Sequence, residues 1–328
     1  MATRLWKSDF ITVDDPSPAS TALTPVAERA RDYARHSKAD NTRRAYTSDW
    51  RHFTTWCAAH ERIDLPASPE TICLYLSALA ETAKASTLTR RLSSISVAHQ
   101  MAGYDPPPTR NVTVRTVLAG IRRQNGTAEE GKRPLLTEDL RRITAGLDDD
   151  RQGIRDRALI LIGFAGAFRR SELVSLDIGD LEFNSDGLVI QLKKSKTDQE
   201  GQGRRVGIPY GSNPQTCPIR AVKAWIEVLG VTEGPIFRRI DRHGRILGKL
   251  SDRGVALIVK RLAGNVGFDP AVYSGHSLRA GLATAAAAAG VSERAIMAQT
   301  GHRSLTTLRR YIREGSLFLE NAAARVGL

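Results

Sequence analysis

The second half of this 328-residue chain carries a spaced set of chemically capable side chains. In order they are Arg169, within Ala167-Phe168-Arg169-Arg170-Ser171-Glu172-Leu173, then His276-Ser277-Leu278-Arg279, then Gly301-His302, then Tyr311, nine residues beyond His302. Between the first two lies a basic run, Lys193-Lys194-Ser195-Lys196-Thr197. Two arginines can grip an anionic group through forked, charge-assisted hydrogen bonds and hold the charge that grows on its oxygens in a transition state. Two histidines can add hydrogen bonds or move a proton. A tyrosine, with an ordinary pKa near ~10, becomes a nucleophile when neighbouring cations favour its phenolate. Two arginines, two histidines and a tyrosine therefore suit displacement at a phosphodiester.

Each motif is weak alone. With seven histidines and abundant arginine, an HxxR is expected nearly once by chance. The isolated alternatives are plain. Tyr311 could pack a helix, His302 could sit at a helix N-terminus, and the lysine run could be a solvated hairpin. Arg170 could be a surface charge only, and Lys193 or Lys194 could stand in for Lys196. Order and spacing raise the case above the parts.

These residues need a scaffold. The net charge of +13 points to a polyanionic partner, most often nucleic acid. Arginine outnumbers lysine several-fold, and its fork suits phosphate and guanine edges. The three cysteines, Cys57, Cys73 and Cys217, form no CxxC pair, which argues against a disulfide framework and fits a reducing cytoplasm. No apolar run approaches a membrane span, so no membrane partner is expected. The carboxylates do not cluster with the histidines at ligand spacing, which disfavours a metal hydrolase; no metal or cofactor is expected.

Residues 1–24, rich in Ser, Thr, Pro and Asp, read as a flexible arm. Residues 25–123 read as a helical domain. Tyr46, Trp50, Phe53 and Cys57 share one helix face, with Arg44, Ser48 and Arg51 on another. A second helix opens with Ser68 as N-cap and Pro69 first, and runs through Ile72, Leu76 and Leu79. A third turns Leu88, Leu92 and Ile95 inward with Arg90 and Arg91 outward, and a fourth carries Val114, Val117, Leu118 and Ile121. Residues 124–134 read as a linker. Residues 135–328 form a second domain. There Thr137 caps a helix with Leu140, Ile143 and Leu147, Ala158–Phe168 is a buried helix, and strands lie at 188–192 and 205–208. Helices follow at 218–229, 252–264, 278–289, 292–300 and 304–313. A terminal amphipathic helix over Ser316–Val326 exposes Leu317, Phe318, Leu319 and Val326.

Over residues 135–320 the ordered set resembles the tyrosine recombinase, or phage integrase, family. That family carries an arginine in a G-L-R-x-S-E-L-like segment, a β-hairpin lysine, H-x-x-R, G-H, and a tyrosine nine residues later. Residues 40–123 are similar to the DNA-clamping domain of its two-domain members. The resemblance implies a mainly α fold with a small β-sheet: a two-domain clamp of a helical core-binding domain and a mixed, mostly α, catalytic domain. It implies a site-specific recombinase acting through a 3′-phosphotyrosine and a Holliday junction, in integration, excision or resolution. The transfer preserves a phosphodiester-like bond, so neither ATP nor metal is needed to balance it.

By the same resemblance Tyr311 is the nucleophile, Arg169 and Arg279 the phosphate clamp, Lys196 the general acid, His276 and His302 proton or hydrogen-bond partners, and Glu172 a support. Arg44, Arg90 and Arg253 are implied to meet base edges. Arg51, Arg91, Arg122 and Arg123 suit phosphates. The implied partners are double-stranded DNA with paired inverted elements, further copies of the chain in a tetramer docked by the terminal helix, and an optional accessory DNA-binding protein. Ala167, Phe168 and Arg170 depart from the family pattern, where Gly, Leu and often an aliphatic residue stand. A type IB topoisomerase-like or hairpin-forming activity from the same site and a catalytically silent DNA-binding factor are the competing readings.

Overall fold

The computed structural model describes residues 18–127, 131–193, 203–302 and 304–315. It divides into two compact units with the boundary between Glu130 and Gly131. The described residues form thirteen α-helices and five β-strands.

The described residues of the first unit form helices and connecting turns, with no strand among them. Helix α1 spans Pro18–His36, α2 Asp40–Ala59, α3 Pro69–Ala80, α4 Ala85–Met101 and α5 Val112–Asn125. Helix α1 begins inside the stretch expected as an arm, with Pro18 at its start and Pro25 within it. A proline at the first helical position loses no bond that the helix would have made, so a Pro-rich composition concealed the start. The Ser68 hydroxyl caps α3 by accepting from the Thr71 N–H at 3.1 Å. Trp50, Phe53 and Cys57 of α2 meet Ile72, Tyr75 and Leu76 of α3, Leu88 and Ile95 of α4 and Val114 of α5 in one buried cluster. The 3.6-residue period places these side chains on single faces and leaves Arg44, Ser48 and Arg51 exposed.

The second unit mixes helices and strands. Helix α6 spans Thr137–Ala145, α7 Arg151–Ala165, α8 Arg170–Ser175, α9 Pro218–Leu229, α10 Asp252–Asn265, α11 His276–Ala288, α12 Glu293–Thr300 and α13 Leu305–Gly315. Strands β1 (Leu181–Phe183), β2 (Gly187–Leu192) and β3 (Arg204–Pro209) form an antiparallel sheet in that order. Leu188, Ile190 and Leu192 pair with Ile208, Val206 and Arg204. A separate antiparallel hairpin joins β4 (Arg238–Ile240) to β5 (Ile246–Lys249); its short, arginine-rich strands carry too little apolar alternation to be read from sequence. The core gathers Leu159, Ile160 and Ile162 of α7, Val222 and Trp225 of α9, Val206 and Ile208 of β3, and Val259 and Leu262 of α10.

Three local expectations are corrected. The cap of α6 is Leu136, not Thr137: the Asp139 carboxylate accepts the Leu136 N–H at 2.9 Å, so a carboxylate three residues on does the capping. The buried helix ends at Ala165, not Phe168. Gly166 follows, and Ala167 has φ 49°, which breaks the helical path while Ala167 and Phe168 stay buried. A left-handed φ costs a non-glycine residue about 1–2 kcal/mol, which explains why glycine is commoner there. The segment expected as a linker is also partly structured. Helix α5 runs to Asn125, and beyond Gly131 the chain is strapped along the second unit, with Arg133 N–H donating to Val272 O at 2.9 Å and Leu135 N–H to Ser277 O at 3.0 Å.

Candidate active site

Four segments of the second unit converge on one site. The turn after α7 and the start of α8 bring Arg169 and Glu172. Strand β3 brings Arg204. The first turn of α11 brings His276 and Arg279. The turn from α12 into α13 brings His302, and α13 itself brings Tyr311.

Glu172 is the third residue of α8 and closes its N-terminus: one carboxylate oxygen accepts the Arg169 backbone N–H at 2.9 Å. The other accepts from the Arg169 guanidinium at 2.6 Å. A single buried carboxylate thus starts the helix and aims the arginine. The stem of Arg170 lies against Gly275, where a Cβ would meet its Cγ at 2.4 Å. Arg170 therefore packs the neighbouring turn with its methylenes, as an aliphatic residue would.

Arg279 is 1% exposed, yet it carries a guanidinium. Its Nη1 donates to Ala167 O at 2.8 Å and also to Thr300 O. The irregular backbone at Ala167 thus turns a carbonyl onto this arginine. Its Nη2 is buried with no hydrogen-bond partner among the described residues. Burial, then the charge of Arg169, lowers its pKa to about 10, which leaves it protonated at neutral pH. A buried cation with an unused N–H is a receptor for an anion.

The Tyr311 hydroxyl lies 2.6 Å from His276 Nε2. Leu308 of α13 is buried with Ala283 and Ala287 of α11 and Ile296 of α12, and Tyr311 packs against that cluster. Helix α13 so presents Tyr311 to the first turn of α11. The His302 ring centroid is 6.0 Å from the tyrosine ring. His302 Nδ1 lies 2.8 Å from Thr300 Oγ1, whose proton is committed to Ile296 O at 2.7 Å. The hydroxyl can then only accept, so His302 carries its proton on Nδ1 and leaves Nε2 an acceptor.

Both imidazoles are held neutral. Burial and then the positive charges of Arg279 and Arg169 push His302 down to about 3. Crowding by protein on its inner side, followed by Arg279, Arg169 and Arg170, lowers His276 as well, although its outer edge is exposed. A neutral His276 can accept the Tyr311 proton. An arriving phosphate would offset the guanidinium charges and raise both histidines toward protonation.

The structure therefore brings together Arg169, Glu172, His276, Arg279, His302 and Tyr311. Lys196 lies outside the described residues, as does the terminal segment Ser316–Val326. Arg204, Thr300 and Gln299 were missed by sequence reasoning. A signal existed for Arg204: it shares the inward face of β3 with Val206 and Ile208, where an arginine is out of place.

In the first unit Arg44, Arg51, Arg90, Arg122 and Arg123 are exposed, as is Arg253 at the start of α10 in the second. Arg91 is the exception. It turns inward, donating to Tyr75 OH at 2.9 Å and meeting His52 Nδ1 at 2.8 Å, because buried Asp49 draws it and Arg90 to the seam between α2 and α4. Arg91, expected outward, is thus turned into the first unit and held there by Tyr75 and His52.

No described helix is long and apolar enough to cross a membrane. A family model, the phage integrase family, matches residues 133–316. The chain is 45% identical over 88% of its length to an integrase/recombinase XerD homolog of Selenomonas ruminantium, covering 86% of that protein. It is 28% identical over 93% of its length to recombinase Cre of Escherichia phage P1, covering 95% of it. Among solved structures it resembles XerH site-specific recombinase bound to a palindromic difH substrate, at TM-score 0.67 and 16% identity, over 98% of this chain and 94% of that one. A λ integrase dimer bound to a core site matches at TM-score 0.57 and 19% identity, over 88% of this chain and 94% of that one. With its family segment spanning more than half the chain and a relative at 45% identity, the protein belongs to the phage integrase family and is a tyrosine recombinase, an enzyme that breaks and rejoins DNA.

Proposed function

We propose that this recombinase cuts each DNA strand by attack of Tyr311 on a backbone phosphate. The hydrogen bond of 2.6 Å between the Tyr311 hydroxyl and His276 Nε2, beside the unused N–H of buried Arg279, carries the reading. His276 takes the phenol proton as the tyrosine oxygen bonds to phosphorus. Arg169 and Arg279 hold the non-bridging oxygens, and Glu172 keeps Arg169 aimed. The bond from phosphorus to the 5′ oxygen breaks, and Lys196 supplies that oxygen's proton. General acid help of this kind is worth ~100- to 10,000-fold. The product is a 3′-phosphotyrosine and a free 5′-hydroxyl. Attack by a 5′-hydroxyl of a second duplex reverses the step, and two successive exchanges pass through a Holliday junction.

In this reading the first unit and α10 hold the DNA. Arg44, Arg90 and Arg253 meet base edges; Arg51, Arg122 and Arg123 meet phosphates. Asp49 and Arg91 keep Arg90 presented. The site is a pair of inverted elements, and four copies act on two sites in the cytoplasm, joined through the terminal helix, with or without an accessory DNA-binding protein. Integration, excision or resolution of mobile DNA or replicon dimers is the biological outcome. The XerD homolog and Cre, whose names are those of recombinases, support this range.

A nicked suicide duplex bearing the target site tests the chemistry. The wild-type chain should form an adduct that survives detergent, and Tyr311→Phe should form none. Unchanged adduct yield in Tyr311→Phe would overturn the assignment of the nucleophile, and relaxation of site-free plasmid without strand exchange would favour a topoisomerase-like activity.

A further inference from the structure

We propose that Arg204 is a positioning residue of the strand-cleavage reaction, acting by pinning the turn that carries His302. Four observations support this, and the catalytic part of the proposal rests on the reading of the site given above.

First, Arg204 sits where the strand pattern calls for an apolar side chain. It is opposite Leu192 across β2–β3, on the face that Val206 and Ile208 bury. Its side chain is only 21% exposed. Second, it bridges distant segments. Nη1 donates to Gln299 O at 3.0 Å, and Nη2 lies 3.9 Å from Glu172 Oε2. Third, its guanidinium packs flat against Gly301, the residue before His302. A Cβ on Gly301 would meet the guanidinium carbon at 3.0 Å, and Gly301 has φ 66°. Glycine is thus required twice, for its backbone angle and for the arginine. Fourth, the turn is gripped from both sides, since the Gln299 amide donates to Ala165 O at 2.7 Å and Gly207 O at 3.2 Å. Sheet, α8 and α12 are thereby joined at one guanidinium.

The consequence is positional and electrostatic. The turn holds Thr300 O on Arg279 and Thr300 Oγ1 against His302 Nδ1, so a turn that slackens loosens both. Arg204 also adds to the positive field at His302, together with Arg279 and Arg169; Glu172 is the opposing neighbour of the same cluster, and His276 and Tyr311 are its neutral ones. A lysine would keep the charge but lose the fork that reaches Gln299 and Glu172 together.

The test combines a rate with a spectroscopic readout on the full chain. Single-turnover adduct formation on the suicide duplex is measured for Arg204→Met and Arg204→Lys, alone and combined with His302→Ala. Arg204→Met should slow cleavage by about tenfold or more, since small misplacements of catalytic groups cost about that much, with DNA affinity little changed. Arg204→Lys should fall between wild type and Arg204→Met. In the His302→Ala background Arg204→Met should cost less than about threefold, because paired groups are not additive. Full cost in both backgrounds, or no cost in either, overturns the proposal. The second readout is the titration of His302, labelled in its imidazole and assigned through His302→Gln. Its midpoint should rise in Arg204→Met and stay near wild type in Arg204→Lys. An unmoved midpoint in Arg204→Met overturns the proposal even if cleavage is never seen. A moved midpoint in a chain that makes no Tyr311 adduct would instead overturn the reading of the reaction, leaving the contact itself intact.

Discussion

Replacing Glu172 by alanine should destabilise the second unit and make its stability depend on phosphate. Glu172 is 2% exposed, and its carboxylate faces Arg169 at 2.6 Å and Arg204 at 3.9 Å, with Arg279 close enough for Glu172 to raise its pKa. Its removal leaves three guanidiniums crowded together and strips the Arg169 N–H of its acceptor. Breaking a buried pair by deleting one partner costs about 3–5 kcal/mol. Arg169 is 18% exposed and retains some water, which favours the lower end. For a unit of about 200 residues, ~3 kcal/mol lowers the melting temperature by about 6–12 °C. Thermal melts of the full chain, followed by circular dichroism at matched ionic strength, measure this with and without inorganic phosphate. Phosphate should raise the variant more than the wild type, because it binds the folded site and replaces the missing charge. Glu172→Gln keeps an acceptor for the helix cap and should lose less. A drop below about 2 °C for Glu172→Ala, or an equal phosphate effect on both proteins, would refute the charge accounting.

Other perturbations should be as specific. Gly281→Ala places a Cβ 1.9 Å from Leu135 O, where α11 meets the strap leading into the second unit; overpacking of about 1–3 kcal/mol should appear in denaturant melts, with faster exchange of the Leu135 amide. Arg90→Ala, which leaves buried Asp49 without its hydrogen-bonded partner, should destabilise the first unit by about 1–3 kcal/mol and weaken discrimination between target and random DNA, whereas Arg91→Ala, which takes one donor from Tyr75 while His52 remains, should cost less than Arg90→Ala. His302 has its pKa lowered to about 3 from an ordinary 6.5, so the unfolded chain binds the extra proton between those values and stability should fall as pH drops through that window; in His302→Gln the acid slope measured by urea titration should be shallower. DNA binding should take up protons near pH 6, seen as a calorimetric enthalpy that depends on the buffer's heat of ionisation, since a bound phosphate raises the histidines.

The first of these perturbations also shows where the sequence stops being informative. Glu172 was legible as a support because it stands three residues after Arg169, within one helical turn. Arg204 was not, because its partners lie 32 residues before it and 95 residues after it. The helices with clear apolar faces were legible for the same local reason: Trp50, Phe53 and Cys57 report a 3.6-residue period whatever they pack against. The α7 overrun arose because Ala158–Phe168 is apolar throughout, and hydrophobicity alone cannot mark where Ala167 turns to a positive φ. Arg91 was set outward by periodicity and drawn inward by Asp49, which is 42 residues earlier in the chain.

The sequence by itself determined the chemical inventory: two arginines, two histidines and a tyrosine in fixed order, with a basic balance suited to DNA. Those follow from residue type and spacing, which need no fold to be read. Tertiary structure decided what the tyrosine hydroxyl faces, through the 2.6 Å contact of Tyr311 with His276. It decided that both histidines are neutral, because burial and converging guanidiniums act through space rather than along the chain. It also recruited Arg204 and Thr300, whose neighbours exist only once β3, α8 and α12 have met.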